Sequence, residues 1–368
     1  MRRLPYSLLF FAASIIVFVL QLIPVTGVFL MLVLAVLWSV ALVNAGMIGV
    51  ALEAAAGRVS RWWLVLPLAF YGGYWAFAAL DHITLWRLTG SYDAANARVV
   101  TGFDPASQAL VFEKDGSGAW LTQNYALPVV YSVNANFPEG YLSHRLMDSG
   151  ACKRARSPEA QAAFVHAFGF HDGDAVGSRH LERRFCSLSM PERPDLPMVR
   201  VMQQESRTQV GSLPIRRTVT TITMPDGRRF ELLGGVASPL KWLPMPMTGC
   251  GLNSGAAKWQ CFAGFRRDDF TPIVSGDTRY RRDEKVLAGA LGLQPVAIGD
   301  RKGSDPDLIL KKIAAVADAT LARQLANVDA MIADLLVKAD WQVGVVSAHP
   351  DILVSRAEAI MTGVERAA

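Results

Sequence analysis

The chain predicts a membrane-anchored α+β protein. It should carry three N-terminal transmembrane helices, then an extracytoplasmic, mostly antiparallel β domain with a helical C-terminal part. Three observations predict this. No charged residue occurs between Leu4 and Leu52. Beyond Trp86 the composition is that of an ordinary water-facing domain, with short β-branched runs separated by turn residues. From about 284 onward apolar residues recur at three- and four-residue steps. The 368 residues are 51% hydrophobic and 19% charged, so polarity is distributed unevenly.

Residues 1–82 read as the anchor. A helix needs roughly 20 apolar residues to cross a bilayer. The uncharged run is long enough for spans at about 5–23 and 28–50, divided by the turn residues Pro24 to Gly27. A third apolar run, 62–80, lies between Arg61 and Asp81 and is rich in Trp and Tyr, which favour membrane interfaces. Arg2, Arg3, Arg58 and Arg61 place the N-terminus and residues 53–61 in the cytoplasm, because positive loops stay inside. Three crossings then put residues 83–368 outside. Arginine far outnumbers lysine and alanine is abundant, which fits a GC-rich bacterial genome; with the topology above, the expected location is a bacterial inner membrane with the large domain in the periplasm.

Residues 83–97 read as a polar connector, and 98–283 as the α+β domain. RVVTGFD (98–104), QALVFEKDG (108–116) and LPVVYSVNANF (127–137) have strand character. Ser157, Pro158 and Glu159 start a helix over 157–170. The clearest hairpin is 216–235, turning at Pro225, Asp226 and Gly227. WLPMPM (242–247) cannot be a central strand, because proline lacks the N–H that a ladder needs. It reads as an arm packed on the sheet.

Residues 284–368 form the helical region. EKVLAGALGL (284–293) is a short helix. A long one follows over 304–338, capped by Asp305, with Pro306 at its first position. Its stripe runs through Leu310, Ala314, Ala317 and Leu321 to Leu335. A third helix starts at His349-Pro350-Asp351.

Four cysteines, Cys152, Cys186, Cys250 and Cys261, fall in the part expected outside the cytoplasm. An even count in an oxidising compartment predicts disulfides. The local pairs Cys152–Cys186 and Cys250–Cys261 need the least loop closure. Neither has the two-to-four-residue ligand spacing of a structural zinc site.

Candidate chemistry is sparse. His166, His171, Asp172, Asp174 and His180 are residue types that bind zinc-like ions, but HDGD also reads as a polar turn. No nucleophile elbow, phosphate loop or zinc-protease motif occurs, so no catalytic residue and no cofactor is assigned. Five arginine pairs are spread over the outer part, and two run straight into acids. The net charge of +5 has no dense basic face, which argues against nucleic acid as a partner. The expected partners are the lipid bilayer and a protein of the envelope. The expected role is non-catalytic binding: a subunit of an envelope assembly, or an immunity-type neutraliser of a periplasmic toxin. The alternative is a periplasmic hydrolase or metal-dependent enzyme using the His166–His180 region.

Overall fold

The computed structural model describes residues 4–34, 37–113, 118–125, 127–135, 139–151, 169–172, 185–252, 259–275, 282–297 and 300–315, with isolated helical positions at 322, 326 and 330. It is a mixed α+β structure with one large sheet. The chain divides into two units that do not follow one another in sequence. Unit 1 takes Met1–Arg98, Gln204–Val219 and Leu233–Lys285. Unit 2 takes Val99–Gln203, Thr220–Leu232 and Val286–Ala368.

Unit 1 begins with helices α1 (Leu8–Leu22), α2 (Pro24–Leu34), α3 (Leu37–Ala55) and α4 (Val65–Asn96). Among the described residues, two helical stretches are long and apolar enough to cross a bilayer, Trp38–Ala55 and Arg61–Asn96; α1 is shorter. The expected turn at 24–27 is instead the start of α2. Pro24 takes its first position, where the missing N–H costs nothing. The expected span 28–50 is therefore divided between α2 and α3.

Helices α1 and α3 pair antiparallel. The Tyr6 and Ser7 amides donate to the Glu53 carboxylate at 2.8 and 2.9 Å, which satisfies donors at the start of α1. Close approach needs glycine here: a Cβ at Gly46 would stand 2.7 Å from the Phe11 ring, and one at Gly49 2.3 Å from Ser7 Oγ. Residues 7 and 53 thus share one end of the pair.

Helix α4 has 32 residues and is about 48 Å long at 1.5 Å per residue. It includes 83–96, so most of the expected connector is its last turns. Those turns carry polar attachments. Asn96 bonds the Leu233 amide and carbonyl, each at 2.8 Å, and Asp93 accepts from the Ser275 amide at 3.1 Å.

The large sheet has the order β11-β8-β7-β6-β1-β2-β3-β5-β4. Its strands are β1 (Ala109–Phe112), β2 (Val130–Val133), β3 (Tyr141–Asp148), β4 (Gly169–Asp172), β5 (Phe185–Pro191), β6 (Met198–Val210), β7 (Leu213–Thr223), β8 (Arg229–Ala237) and β11 (Thr271–Pro272). The expected hairpin is present: β7 and β8 turn at Gly227, whose φ of 87° glycine adopts without strain. Strand β1 departs from the antiparallel expectation, pairing parallel with both β2 and β6. Its residues ALVF are buried throughout, the continuous apolar run that a strand covered on both faces requires. Residues 98–104, expected to be strand-like, are irregular. Thr101 uses its amide and hydroxyl on the Ala290 carbonyl, both at 3.0 Å.

Unit 2 is built around Leu110, Phe112, Leu121, Val199, Ile222 and Leu287. It includes α5 (Ala119–Asn124) and most of α6 (Arg282–Ala290). Residues 306–315 are helical, and Asp305 caps them by accepting from the amides of Asp307 and Leu308. The buried positions are Ile309 and Ile313, while Ala314 is exposed. The apolar stripe therefore runs one residue off the predicted one. The remainder of the long helix, the helix from 349 and the helix over 157–170 lie on residues outside the description, apart from 169–170 and the positions at 322, 326 and 330.

Candidate functional site

In unit 1, strands β9 (Pro246–Leu252) and β10 (Trp259–Phe265) form a separate antiparallel pair. Cys250 and Cys261 face each other in its register and are joined by a disulfide. The predicted staple is there, but it fastens two strands rather than a bare loop. The hairpin also meets the helices. The Cys250 amide donates to Gln21 Oε1 and Trp259 Nε1 donates to the Gln21 carbonyl, both at 3.2 Å. Gly27 makes room for the same tryptophan, since a Cβ there would lie 2.4 Å from its ring.

Replacing Cys250 and Cys261 together with serine should cost unit 1 about 2–4 kcal/mol. Thermal denaturation of the detergent-purified protein reads the loss. An unchanged midpoint would show that docking, not the bond, holds the hairpin. Cys186 is fully buried on β5, and its expected partner Cys152 lies outside the described residues.

The arm before the hairpin corrects an expectation. WLPMPM, with Leu240 and Lys241 just before it, is held by side chains of α3 and α4, and its last two residues, Pro246 and Met247, already pair in β9 with β10. Side chains satisfy its carbonyls one after another. His82 Nε2 lies 3.0 Å from the Leu240 oxygen, Tyr74 Oη donates to Lys241 at 2.7 Å, and Trp75 Nε1 donates to Trp242 at 3.1 Å. Asn44 Nδ2 donates to Pro244 at 3.1 Å, and Ser39 Oγ to Pro246 at 3.0 Å. Irregular backbone among apolar helices needs such partners, because an unpaired carbonyl there would cost several kcal/mol, roughly 2–7. Pro239, Pro244 and Pro246 reduce the demand further, having no N–H to satisfy.

The arm leads to a buried charge. Asp81, 1% exposed, accepts from Ser212 Oγ, from the Leu240 amide at 3.1 Å and from Arg267 Nη1 at 2.7 Å. The same Nη1 donates to the Ser238 carbonyl at 2.8 Å. Beside this cluster lies a cavity of about 430 Å³ lined by Phe70, Gly73, Phe77, Phe265, Ser212 and Arg267, among others. Its walls are mostly apolar, and Ser212 and Arg267 supply a hydroxyl and a charge at one side.

The sequence reading missed this site, though a signal existed. Tyr71, Tyr74, Trp75, Ala78, Asp81 and His82 recur at three- and four-residue steps. That is one face of a helix, and it carries polar tips on large apolar bodies. Arg267 belongs to one of the two arginine pairs that run straight into acids, a pattern that points to local neutralisation rather than to a distant buried partner.

Unit 2 holds two polar networks on its sheet. His144 lies 2.9 Å from Ser132 Oγ and 2.8 Å from Ser189 Oγ. His144 and Ser132 are buried, so a substrate has no approach to them in this conformation, and the network ties β2, β3 and β5 together. The second network is ionic. Arg145 forks onto Glu192, and Lys312 Nζ reaches the same carboxylate at 2.5 Å. Burial pushes Glu192 up, but the hydrogen bonds and charge of Arg145 outweigh it, so its carboxyl sits below the usual range. Burial, with the Glu192 charge beside it, pushes the Tyr131 hydroxyl up to about 12.

Of the metal candidates, His171 and Asp172 lie on β4, and His166, Asp174 and His180 fall outside the described residues. Among the described residues, no three His, Cys, Asp or Glu side chains gather as a metal site would require. No protein-family model matches the chain, and no curated protein or solved structure is significantly similar to it.

Proposed function

We propose that the chain is an inner-membrane-anchored protein whose periplasmic part binds another component of the bacterial envelope. One observation carries the anchor: the helices of unit 1 expose large apolar side chains along their length. Leu9, Ile15, Ile16, Trp62, Leu68 and Phe77 are all exposed. Over the apolar window of Arg61–Asn96 only 17% is buried. Exposed apolar surface on this scale calls for lipid or a partner. The three spans of this reading, about 5–23, 28–50 and 62–80, fall on α1, on α2 with α3, and on α4; α3 and α4 lie in the two stretches long and apolar enough to cross a bilayer. The pairing of Ser7 with Glu53 supports one side for the N-terminus and residues 53–61. The disulfide hairpin meets Gln21 and Ser39, at the opposite end, which supports an oxidising compartment there.

The binding role, as envelope-assembly subunit or as immunity-type neutraliser, is supported by a sequence without a nucleophile elbow, phosphate loop or zinc-protease motif and by the disulfide-stapled hairpin. Crosslinking in native membranes should capture a periplasmic or membrane protein. Turnover of a lipid, glycan or peptide by the purified chain without any captured partner would favour the hydrolase alternative. For topology, alkaline phosphatase fused after Ala368 should be active. An inactive fusion, with a fluorescent cytoplasmic reporter at the same point, would overturn the orientation.

A further inference from the structure

We infer that the cavity beside Arg267 holds one acyl chain of a bilayer phospholipid, with the lipid phosphate at Arg267; this rests on the membrane-anchored reading. The volume, about 430 Å³, is within the range of small-molecule sites, about 300–1,000 Å³. Its chemistry is that of an amphiphile's mould. Ala69, Phe70, Gly73 and Phe77 line it from α4, and Phe265 from β10. Ser212 and Arg267 supply the polar end.

Arg267 suits a phosphate. Its hydrogen bonds to Asp81 and Ser238 both leave from Nη1, and a quarter of the side chain is exposed. A guanidinium presents five N–H donors in a planar fork that matches phosphate oxygens. The Asp81 partnership fixes that fork in place. The apolar end lies along the exposed face of α4, where Phe77 and Leu80 are open to the surroundings. A lipid could therefore enter sideways from the bilayer without crossing water.

Gly73 provides the test. A Cβ added there meets nothing within 4 Å, so a larger side chain extends into open space without straining the helix. Gly72 is equally open but does not line the cavity. The full chain is placed in phosphatidylcholine vesicles containing phosphatidylglycerol that carries a diazirine on one acyl chain. Light should label the peptides bearing Phe70–Phe77 and Phe265. Gly73→Leu should lower that labelling about tenfold, a loss of roughly 1.4 kcal/mol of binding. Gly72→Leu should leave it unchanged, and Arg267→Lys should lower it while keeping Asp81 paired. Equal labelling of all variants, or labelling spread evenly over the apolar helices, overturns the site. So does a photoreactive residue at 73 that captures a protein instead of lipid. Alkaline carbonate extraction separates the two failures. A chain released by carbonate loses the membrane reading itself, whereas a chain retained but unlabelled at the cavity loses only the lipid site.

Discussion

Arg267→Met is expected to destabilise unit 1 by about 3–5 kcal/mol, because it strips a buried carboxylate of its counter-ion. Asp81 is 1% exposed, and among the described residues its other partners, Ser212 and the Leu240 amide, are neutral. Adding Asp81→Asn should restore most of the loss. The asparagine keeps an oxygen for the Leu240 amide and brings no charge. Denaturation of the two single variants and the double variant in detergent yields the coupling directly. If the single change costs under about 1 kcal/mol, the Asp81 charge is compensated by something other than Arg267.

A comparable loss, about 3 kcal/mol or more, should follow from Arg145→Met in unit 2. Among the described residues, Glu192 would keep Lys312 alone as an ionic partner while remaining nearly buried. The deficit should depend on pH in a defined sense. In the native protein Glu192 has a carboxyl pKa below its unfolded value near 4.5. Its contribution is then complete above that value and disappears as pH falls through the lower, folded one. In the variant, burial loses most of its opposition and raises the folded pKa, so protonation relieves an unpaired charge. The gap between the two proteins should therefore narrow from pH 7 towards pH 4. Urea denaturation at a series of pH values measures it, and a constant gap would remove Glu192 from the account.

Much of this architecture was legible in the residues. The apolar start, the 225–227 hairpin, the Asp305 cap and the Cys250–Cys261 bond follow from local chemistry. Pattern did not reveal what long-range partners decide. PVTG reads as a turn by composition, yet Pro24 opens a helix and Gly27 is small because Trp259 lies over it. WLPMPM is unsuited to a strand by its prolines, but nothing local says that Asn44, Tyr74 and Trp75 hold it. Strand β1 reads as one more apolar run; its parallel partners are set by where β2 and β6 arrive. The division into units also escapes a linear reading, because each of β6, β7 and β8 contributes residues to both.

The arm's hydrogen bonds impose a timetable on synthesis. Asn44 and Pro244 are 200 positions apart, Asp81 and Arg267 186, and Gln21 and Cys250 229. A ribosome adding about 5–20 residues per second would take roughly 10–40 s to deliver each partner. Through that interval Asp81 awaits Arg267 and the Gln21 side chain awaits Cys250, while Asn44 has the Val40 carbonyl of its own helix and then the Tyr71 hydroxyl as partners. The helical segment is therefore complete in sequence well before its long-range side-chain partners exist.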